Sequence, residues 1–287
     1  RQAAPRLGSR TLDPILETRE LVLEYAGGNR ALDGVSIRVH EGEFVAIVGP
    51  SGAGKSTLLR VLNRLLTPTQ GDVFVEGDQV TSVSGRSLRR VRRRVGMVFQ
   101  QFNLVPQLTV LENVLVGWIG GAPIHRQIPA LFRHFPSDIQ QRALQCLEQV
   151  HIQGHAHARA ADLSGGQQQR VAIARVLMQE PIAILADEPI ASLDPGSAEI
   201  VMDTLREINT ARGVPIVVNL HQVDVARAYS TRLIGLRAGT VQFDGAPAEI
   251  DDAKMGSLYS QVEFPSGGEA SIEGQASERR SKEGVLV

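Results

Sequence analysis

A glycine-rich loop carries the clearest chemistry in the sequence. It follows the apolar run Phe44 to Val48 and opens a predicted helix, the context in which the pattern G-x-x-x-x-G-K-[ST] binds phosphate. Glycines let the backbone turn tightly and aim N–H groups at an anion, and the helix N-terminus adds positive potential. The pattern predicts a nucleoside triphosphate site, with Lys55 on the β- and γ-phosphates and Ser56 on Mg²⁺. Its nine residues are Gly49, Pro50, Ser51, Gly52, Ala53, Gly54, Lys55, Ser56 and Thr57.

Two adjacent carboxylates close a second apolar run. Asp187 and Glu188 follow Ile182 to Ala186. Because neighbouring residues of a strand point to opposite sides, one carboxylate can face a metal while the other faces a water molecule. We therefore predict that Asp187 contacts Mg²⁺ and that Glu188 is the general base. The alternative is a polar strand end that caps the next turn, which the upstream phosphate loop makes a minor possibility.

A second anion site is indicated at the start of another helix. The segment from Leu163 to Arg170 reads LSGGQQQR, with Ser164 as a natural N-cap and with Gly165 and Gly166 exposing backbone N–H groups. Capping chemistry alone does not distinguish this site from an ordinary capped helix.

The elements around these motifs predict an α/β fold. Alternating strand and helix patterns, from Phe44 to Val48 through Ile216 to Leu220, favour a P-loop NTPase core with a mostly parallel sheet. Strands at Glu17 to Tyr25, Val35 to Val39 and Gly71 to Val80, the last a hairpin turning at Gly77-Asp78, predict an N-terminal antiparallel β subdomain. Helices are predicted from about Gly54 to Leu65, over the amphipathic stretch Ser137 to Val150 and near Gly196 to Arg212. A helical subdomain is inserted at about 101–162. We expect a flexible lead-in over 1–13, the folded domain over 14–264 and a disordered tail over 265–287.

Composition narrows the classes of function. The net charge is −1, so the whole chain exerts no pull on nucleic acid, and the basic run Arg89 to Arg94 is best explained as a solvated helix face. Cys146 is the single cysteine, which fits a reducing cytosol without proving it. No apolar run reaches the roughly 18 residues that span a bilayer, and no secretory signal is expected. Any membrane span must come from another chain.

The LSGGQQQR segment resembles the signature motif of ABC ATPases. The resemblance extends over about Glu17 to Ile250, and other motifs of that family follow in order. It implies that Gln100 contacts Mg²⁺ and the permease, that Tyr25 stacks on adenine, and that His221 contacts the γ-phosphate. It also implies a head-to-tail homodimer in which one subunit contacts the other's nucleotide. The residues making that contact would be Ser164, Gly165, Gly166, Gln167 and Asp194.

The resemblance further implies an ATP- and Mg²⁺-dependent ATPase on the cytoplasmic face of a membrane. Its expected partners are permease subunits and an extracytoplasmic substrate-binding protein, with no nucleic acid. Segments such as Asn219 to Ala226 are most similar to the phosphonate importer subfamily, so the expected cargo is a phosphonate or a related phosphorus oxyanion. The alternatives are polar amino acids, methionine, efflux or lipoprotein release, or a soluble ABC module outside transport.

Overall fold

The computed structural model describes residues 13–120 and 135–259. Apart from Asp13, the predicted lead-in and tail lie outside these ranges. Within them, no helix has both the length and the apolar character needed to cross a bilayer. The strands are β1 (Leu16–Glu24), β2 (Arg30–Val35), β3 (Arg38–Val39), β4 (Phe44–Val48), β5 (Gln70–Val75), β6 (Asp78–Gln79), β7 (Val95–Val98), β8 (Ala183–Asp187), β9 (Ile216–Asn219), β10 (Arg232–Arg237) and β11 (Thr240–Gly245). The helices are α1 (Lys55–Leu62), α2 (Gly85–Arg94), α3 (Val110–Ile119), α4 (Ser137–Gln149), α5 (Gly165–Leu177), α6 (Pro195–Arg212), α7 (Val223–Tyr229) and α8 (Asp252–Tyr259).

A six-stranded sheet forms the centre of the molecule. Its order is β11-β10-β4-β9-β8-β7, and every pair is parallel except the terminal hairpin β10-β11. The predicted mostly parallel sheet is therefore confirmed. Because β4, β9 and β8 run in the same direction, their carboxyl ends meet at one edge, where ligands bind in open α/β sheets.

Both faces of the parallel sheet are buried, which explains the continuous apolar runs. Alternate residues of β4 belong to two separate cores. Phe44, Ala46 and Val48 pack toward the helices α3 to α6, whereas Val45 and Ile47 pack toward α1 and the N-terminal strands. The sheet thus lies between the two cores, and helices and strands pack against both of its faces up to the carboxyl edge.

A smaller antiparallel sheet covers the second core. Its order is β2-β1-β5-β6, and β3 pairs with β1. The antiparallel subdomain was predicted, but β2 was not, because its sequence RALDGV lacks a clean alternation of apolar and polar residues. Its partner β1 carries a register shift between Leu21 and Leu23, where the pairing departs from a regular ladder.

The described part of the helical block contains α3, α4 and two short 3₁₀ turns, Gln153–His155 and Ala160–Asp162. Residues 101–109 contain no helix, so the block is helical only in part. A capping box starts α3: Thr109 accepts a hydrogen bond from the Glu112 backbone, and the Glu112 carboxylate accepts one from the Thr109 backbone at 2.8 Å. Residues 121–134 of the predicted block lie outside the described ranges.

Several local boundaries differ from the sequence predictions. The strand predicted from Val35 to Val39 is not continuous, since Val35 ends β2 and only Arg38–Val39 form β3. The turn between β5 and β6 lies at Glu76 and Gly77, one residue earlier than predicted, because both residues adopt positive φ, as a tight hairpin turn requires. Helix α1 ends at Leu62 instead of Leu65, and Arg64 two residues later has a φ of 58°. That left-handed conformation cannot continue a right-handed helix.

Candidate nucleotide-binding site

The phosphate loop connects β4 to α1, and close approach to neighbouring strands restricts two of its positions to glycine. Gly54 has a φ of 101°, and a Cβ atom there would lie 2.3 Å from the Ala31 carbonyl oxygen. A Cβ atom on Gly49 would lie 2.0 Å from the Leu236 carbonyl oxygen. Any side chain would therefore push the loop away from β2 or β10, which explains the glycines by geometry.

An open cavity of about 450 Å³ lies above this loop. The volume falls within the range of small-molecule sites. Of the predicted site residues, those of the loop from Ser51 onward line it, together with Tyr25, Glu188 and His221. The full lining is Tyr25, Asn29, Ala31, Ser51, Gly52, Ala53, Gly54, Lys55, Ser56, Thr57, Glu188 and His221.

Lys55 is the cation at the base of the cavity. Its side chain is buried, and its Nζ donates hydrogen bonds to the carbonyl oxygens of Gly49 at 2.8 Å and Pro50 at 2.9 Å. Burial lowers the pKa of Lys55, while the carboxylates of Glu188 and Asp187 act in the opposite direction. The ammonium group is thus held across the loop, beside two acidic residues.

Asp187 ends β8 inside the protein, with 4% of its surface exposed. Its Oδ1 accepts hydrogen bonds from Ser56 Oγ at 2.7 Å and from Asn219 Nδ2 at 2.9 Å. The Arg60 guanidinium lies 3.5 Å from its other oxygen, Oδ2. The predicted pair of Ser56 and Asp187 is therefore brought together, although the two residues are 131 positions apart.

Asn219 was not predicted as a site residue. It is fully buried, and its Oδ1 has no hydrogen-bond partner within residues 13–120 and 135–259. It lies beside Asp187 because β8 and β9 are parallel neighbours with these two residues in register. A signal was present in the sequence: Asn219 is a polar residue at the end of an apolar strand, just before the predicted site residue His221.

Glu188 reaches the site by a different route from the one predicted. The strand ends at Asp187, and Glu188 has a φ of 52°, so alternation along a strand does not orient it. The left-handed conformation is uncommon for non-glycine residues, and the residues that adopt it are found disproportionately at functional sites. The Glu188 side chain meets that of His221 at the cavity, with Oε1 and Nε2 separated by 2.6 Å.

Tyr25 follows β1 at the edge of the cavity. It is 41% exposed, so it is not a core aromatic residue. Its hydroxyl lies 3.2 Å from Thr57 Oγ1, at the start of α1. The ring therefore stands beside the loop with a large accessible surface, as a base-stacking platform requires.

The remaining predicted residues lie away from this cavity. Gln100 is exposed after β7 and is not part of the cavity lining. Ser164 is exposed and caps α5 in a reciprocal box: it accepts a hydrogen bond from the Gln167 backbone, and Gln167 Oε1 accepts one from the Ser164 backbone at 2.9 Å. Asp194 is exposed and caps α6, and its hydrogen bonds from Ser197 lower its pKa. Within one chain these groups do not contact the cavity.

Comparisons with known proteins identify the family to which this chain is related. Residues 32–191 match the family described as ABC transporter. A phosphonates import ATP-binding protein, PhnC of Bacillus cereus, is 48% identical over 248 residues, which are 86% of this chain and 95% of that protein. PhnC 1 of Halalkalibacterium halodurans is 49% identical over 247 residues, with coverages of 86% and 95%.

Solved structures agree with these relatives. A dimeric, ADP- and phosphate-bound form of the ATP-binding cassette MJ0796 superposes with a TM-score of 0.68 at 37% identity, covering 81% of this chain and 98% of that one. CbiO1 from Clostridium perfringens, part of an ABC transporter complex, gives a TM-score of 0.73 at 30% identity, covering 85% and 93%. The cavity geometry, the matched domain and these relatives together show that the chain belongs to the ABC transporter family, as one of its ATP-hydrolysing cassettes.

Proposed function

We propose that the cavity above the phosphate loop holds ATP, with the triphosphate along the loop and the adenine against Tyr25. The loop amides from Ser51 to Thr57 surround the phosphate position, and Lys55 supplies the positive charge. Lys55 exchanges its bonds to two backbone carbonyls for bonds to the phosphates. The buried, loop-bound position of its Nζ supports this role.

The same site fits Mg²⁺. Ser56 Oγ and Asp187 Oδ1 are hydroxyl and carboxylate oxygens 2.7 Å apart, the donor types that Mg²⁺ prefers. The Asn219 Oδ1, which has no partner among the described residues, adds a buried oxygen beside them. We assign Ser56 and Asp187 to the metal, with Gln100 as a further contact after a movement of its loop. When bound, Mg²⁺ would neutralise charge on the phosphate oxygens.

Glu188 is proposed as the general base for hydrolysis. It lines the cavity together with the phosphate loop, and its carboxylate is available to accept a proton from water. We propose that His221 orients this carboxylate and contacts the γ-phosphate, a role supported by its 2.6 Å contact with Glu188 and its place in the cavity lining. Both residues follow strands at the carboxyl edge of the parallel sheet.

The signature residues are proposed to act on the nucleotide of a second copy. Ser164, Gly165, Gly166 and Gln167 form the N-terminus of α5, away from their own chain's cavity. Asp194 caps the start of α6 and also lies outside its own chain's cavity. A head-to-tail homodimer would let these groups close the partner's site, and it would give a role to a helix N-terminus suited to anions that lies apart from the phosphate loop of its own chain.

We further propose that the dimer works on the cytoplasmic face of a membrane permease and energises uptake of a phosphonate or a related phosphorus oxyanion. The observation that carries this is the 48% identity over 95% of the length of a phosphonates import ATP-binding protein. A substrate-binding protein outside the membrane would select the cargo. The helical block over about 101–162, within a domain spanning about 14–264, would contact the permease.

The proposed cargo is tested with the transporter's cognate substrate-binding protein. Its affinity for methylphosphonate, 2-aminoethylphosphonate, phosphite, phosphate and a panel of amino acids is measured by calorimetry. The assembled transporter in lipid is then assayed for ATP hydrolysis with each loaded binding protein. We expect stimulation by a phosphorus oxyanion and none by amino acids.

A transporter carrying Glu188→Gln is the matched control, because it should bind the loaded protein without stimulated hydrolysis. Tight binding of methionine or a polar amino acid, with no response to any phosphorus oxyanion, would reject the cargo and leave the ATPase assignment intact. ATP hydrolysis that does not respond to the permease and the loaded binding protein would reject the role in transport.

A further inference from the structure

The last described helix, α8, packs against the base of the phosphate loop. Leu258 of α8 is 2% exposed and lies over Gly235 of β10, where a Cβ atom would be 3.3 Å from the Leu258 Cδ1. Gly235 is in register with Val48, the last residue of β4. The helix therefore covers the point at which β4 leaves the sheet and becomes the loop.

One side chain of α8 contacts the loop directly. The Tyr259 hydroxyl oxygen accepts a hydrogen bond from the Gly49 backbone N–H at 3.1 Å, across 210 positions of sequence. The Gly49 carbonyl oxygen accepts the hydrogen bond from Lys55 Nζ. Both backbone groups of Gly49 are thus held by side chains, one from the loop itself and one from the distant helix.

Gly49 is a sensitive position in the loop. It has a φ of 150°, and its Cα lies so close to β10 that a Cβ atom would be 2.0 Å from the Leu236 carbonyl oxygen. A shift of this residue would move the Lys55 contact and the amides that follow. Burial raises the pKa of Tyr259, so the phenol stays protonated at neutral pH and its oxygen remains a neutral acceptor.

We propose that Tyr259 is a positioning residue for the phosphate loop, acting through Gly49 without touching the nucleotide. The inference rests on the proposed nucleotide site and extends it to the C-terminal helix. The hydroxyl holds the first residue of the loop in its binding geometry before the ligand arrives. Without this hydroxyl the free loop is less ordered, so the free energy of nucleotide binding must also cover the cost of ordering it.

The test is Tyr259→Phe in the full chain, which keeps the ring and removes only the hydroxyl that accepts from the Gly49 N–H. Loss of one neutral hydrogen bond weakens affinity by about two- to tenfold, so the dissociation constants of ADP and ATP should both rise by that factor. The KM for ATP should rise by more than kcat falls. Amide exchange at Gly49 should also become faster, because its N–H loses its acceptor.

Tyr229→Phe is the matched control. Tyr229 is a second half-buried tyrosine; its hydroxyl donates to Asp203 Oδ1 at 3.1 Å, and it does not line the nucleotide cavity. Both variants should lose some thermal stability, but only Tyr259→Phe should lose nucleotide affinity. Wild-type affinity in Tyr259→Phe, or an equal loss in Tyr229→Phe, would overturn the inference. A wild-type chain that binds no nucleotide would overturn the site itself, which is a separate result.

Discussion

Replacing Glu188 by glutamine removes one negative charge and keeps the shape of the side chain. The amide oxygen can occupy the position of Oε1, 2.6 Å from His221 Nε2, so the local geometry should persist. An amide cannot accept the proton from water, and loss of a general base typically costs ~10²–10⁴-fold in rate. That factor corresponds to about 2.7–5.4 kcal/mol of activation free energy, at 1.36 kcal/mol per tenfold.

Binding of ATP should survive this substitution. Glu188 is one of two carboxylates whose charge acts on Lys55, so its removal lowers the negative potential that opposes the phosphates. The variant should therefore accumulate as an ATP-bound dimer. Phosphate release at saturating ATP measures the rate, and size-exclusion chromatography with ATP and Mg²⁺ measures the dimer.

The chain offers a close control for this experiment. Glu207 also pairs with a histidine, its Oε2 lying 2.8 Å from His151 Nε2, but the pair is exposed and outside the cavity. Glu207→Gln makes the same chemical change at a matched contact and should hydrolyse ATP at the wild-type rate. Undiminished hydrolysis by Glu188→Gln would refute the assignment of the base.

Two further variants test the loop and the dimer. Lys55→Ala should raise the ATP dissociation constant at least about tenfold, since a charge-assisted contact to phosphate is lost; unchanged affinity with reduced turnover in an ATP titration would contradict a ground-state role. Ser164→Arg should leave ATP binding to a monomer intact and block dimer closure. Mixing the two variants gives heterodimers in which one site carries both lesions and the other carries neither. Partial ATPase recovery is expected, and none despite proven heterodimers would count against sites shared between subunits.

Much of the fold was predictable because the signals are local. Apolar runs bounded by turns located β4, β8 and β9, and helical periodicity located α4 and α6. The predictions failed where local signals were weak, as in β2, or where a single backbone angle decided the outcome. Arg64, which ends α1 early, and Glu188, whose positive φ replaces strand alternation, are examples.

The sequence by itself determined the contiguous chemistry. The phosphate loop, the acidic pair after β8 and the capped start of α5 each depend on neighbouring residues, whose conformation follows from short-range sterics and hydrogen bonding. These segments were enough to indicate a nucleoside triphosphate site, and the resemblance of the LSGGQQQR segment to the ABC signature extended that to an ATPase before any contact was known.

Only the tertiary structure decided which distant groups meet. Strand order and register place Asn219 beside Asp187, since β8 and β9 are parallel neighbours. The packing of α8 over β10 brings Tyr259 to Gly49. Such contacts depend on how buried faces pack across the whole chain, and the residues that make them are separated too far in sequence for any local pattern to specify them.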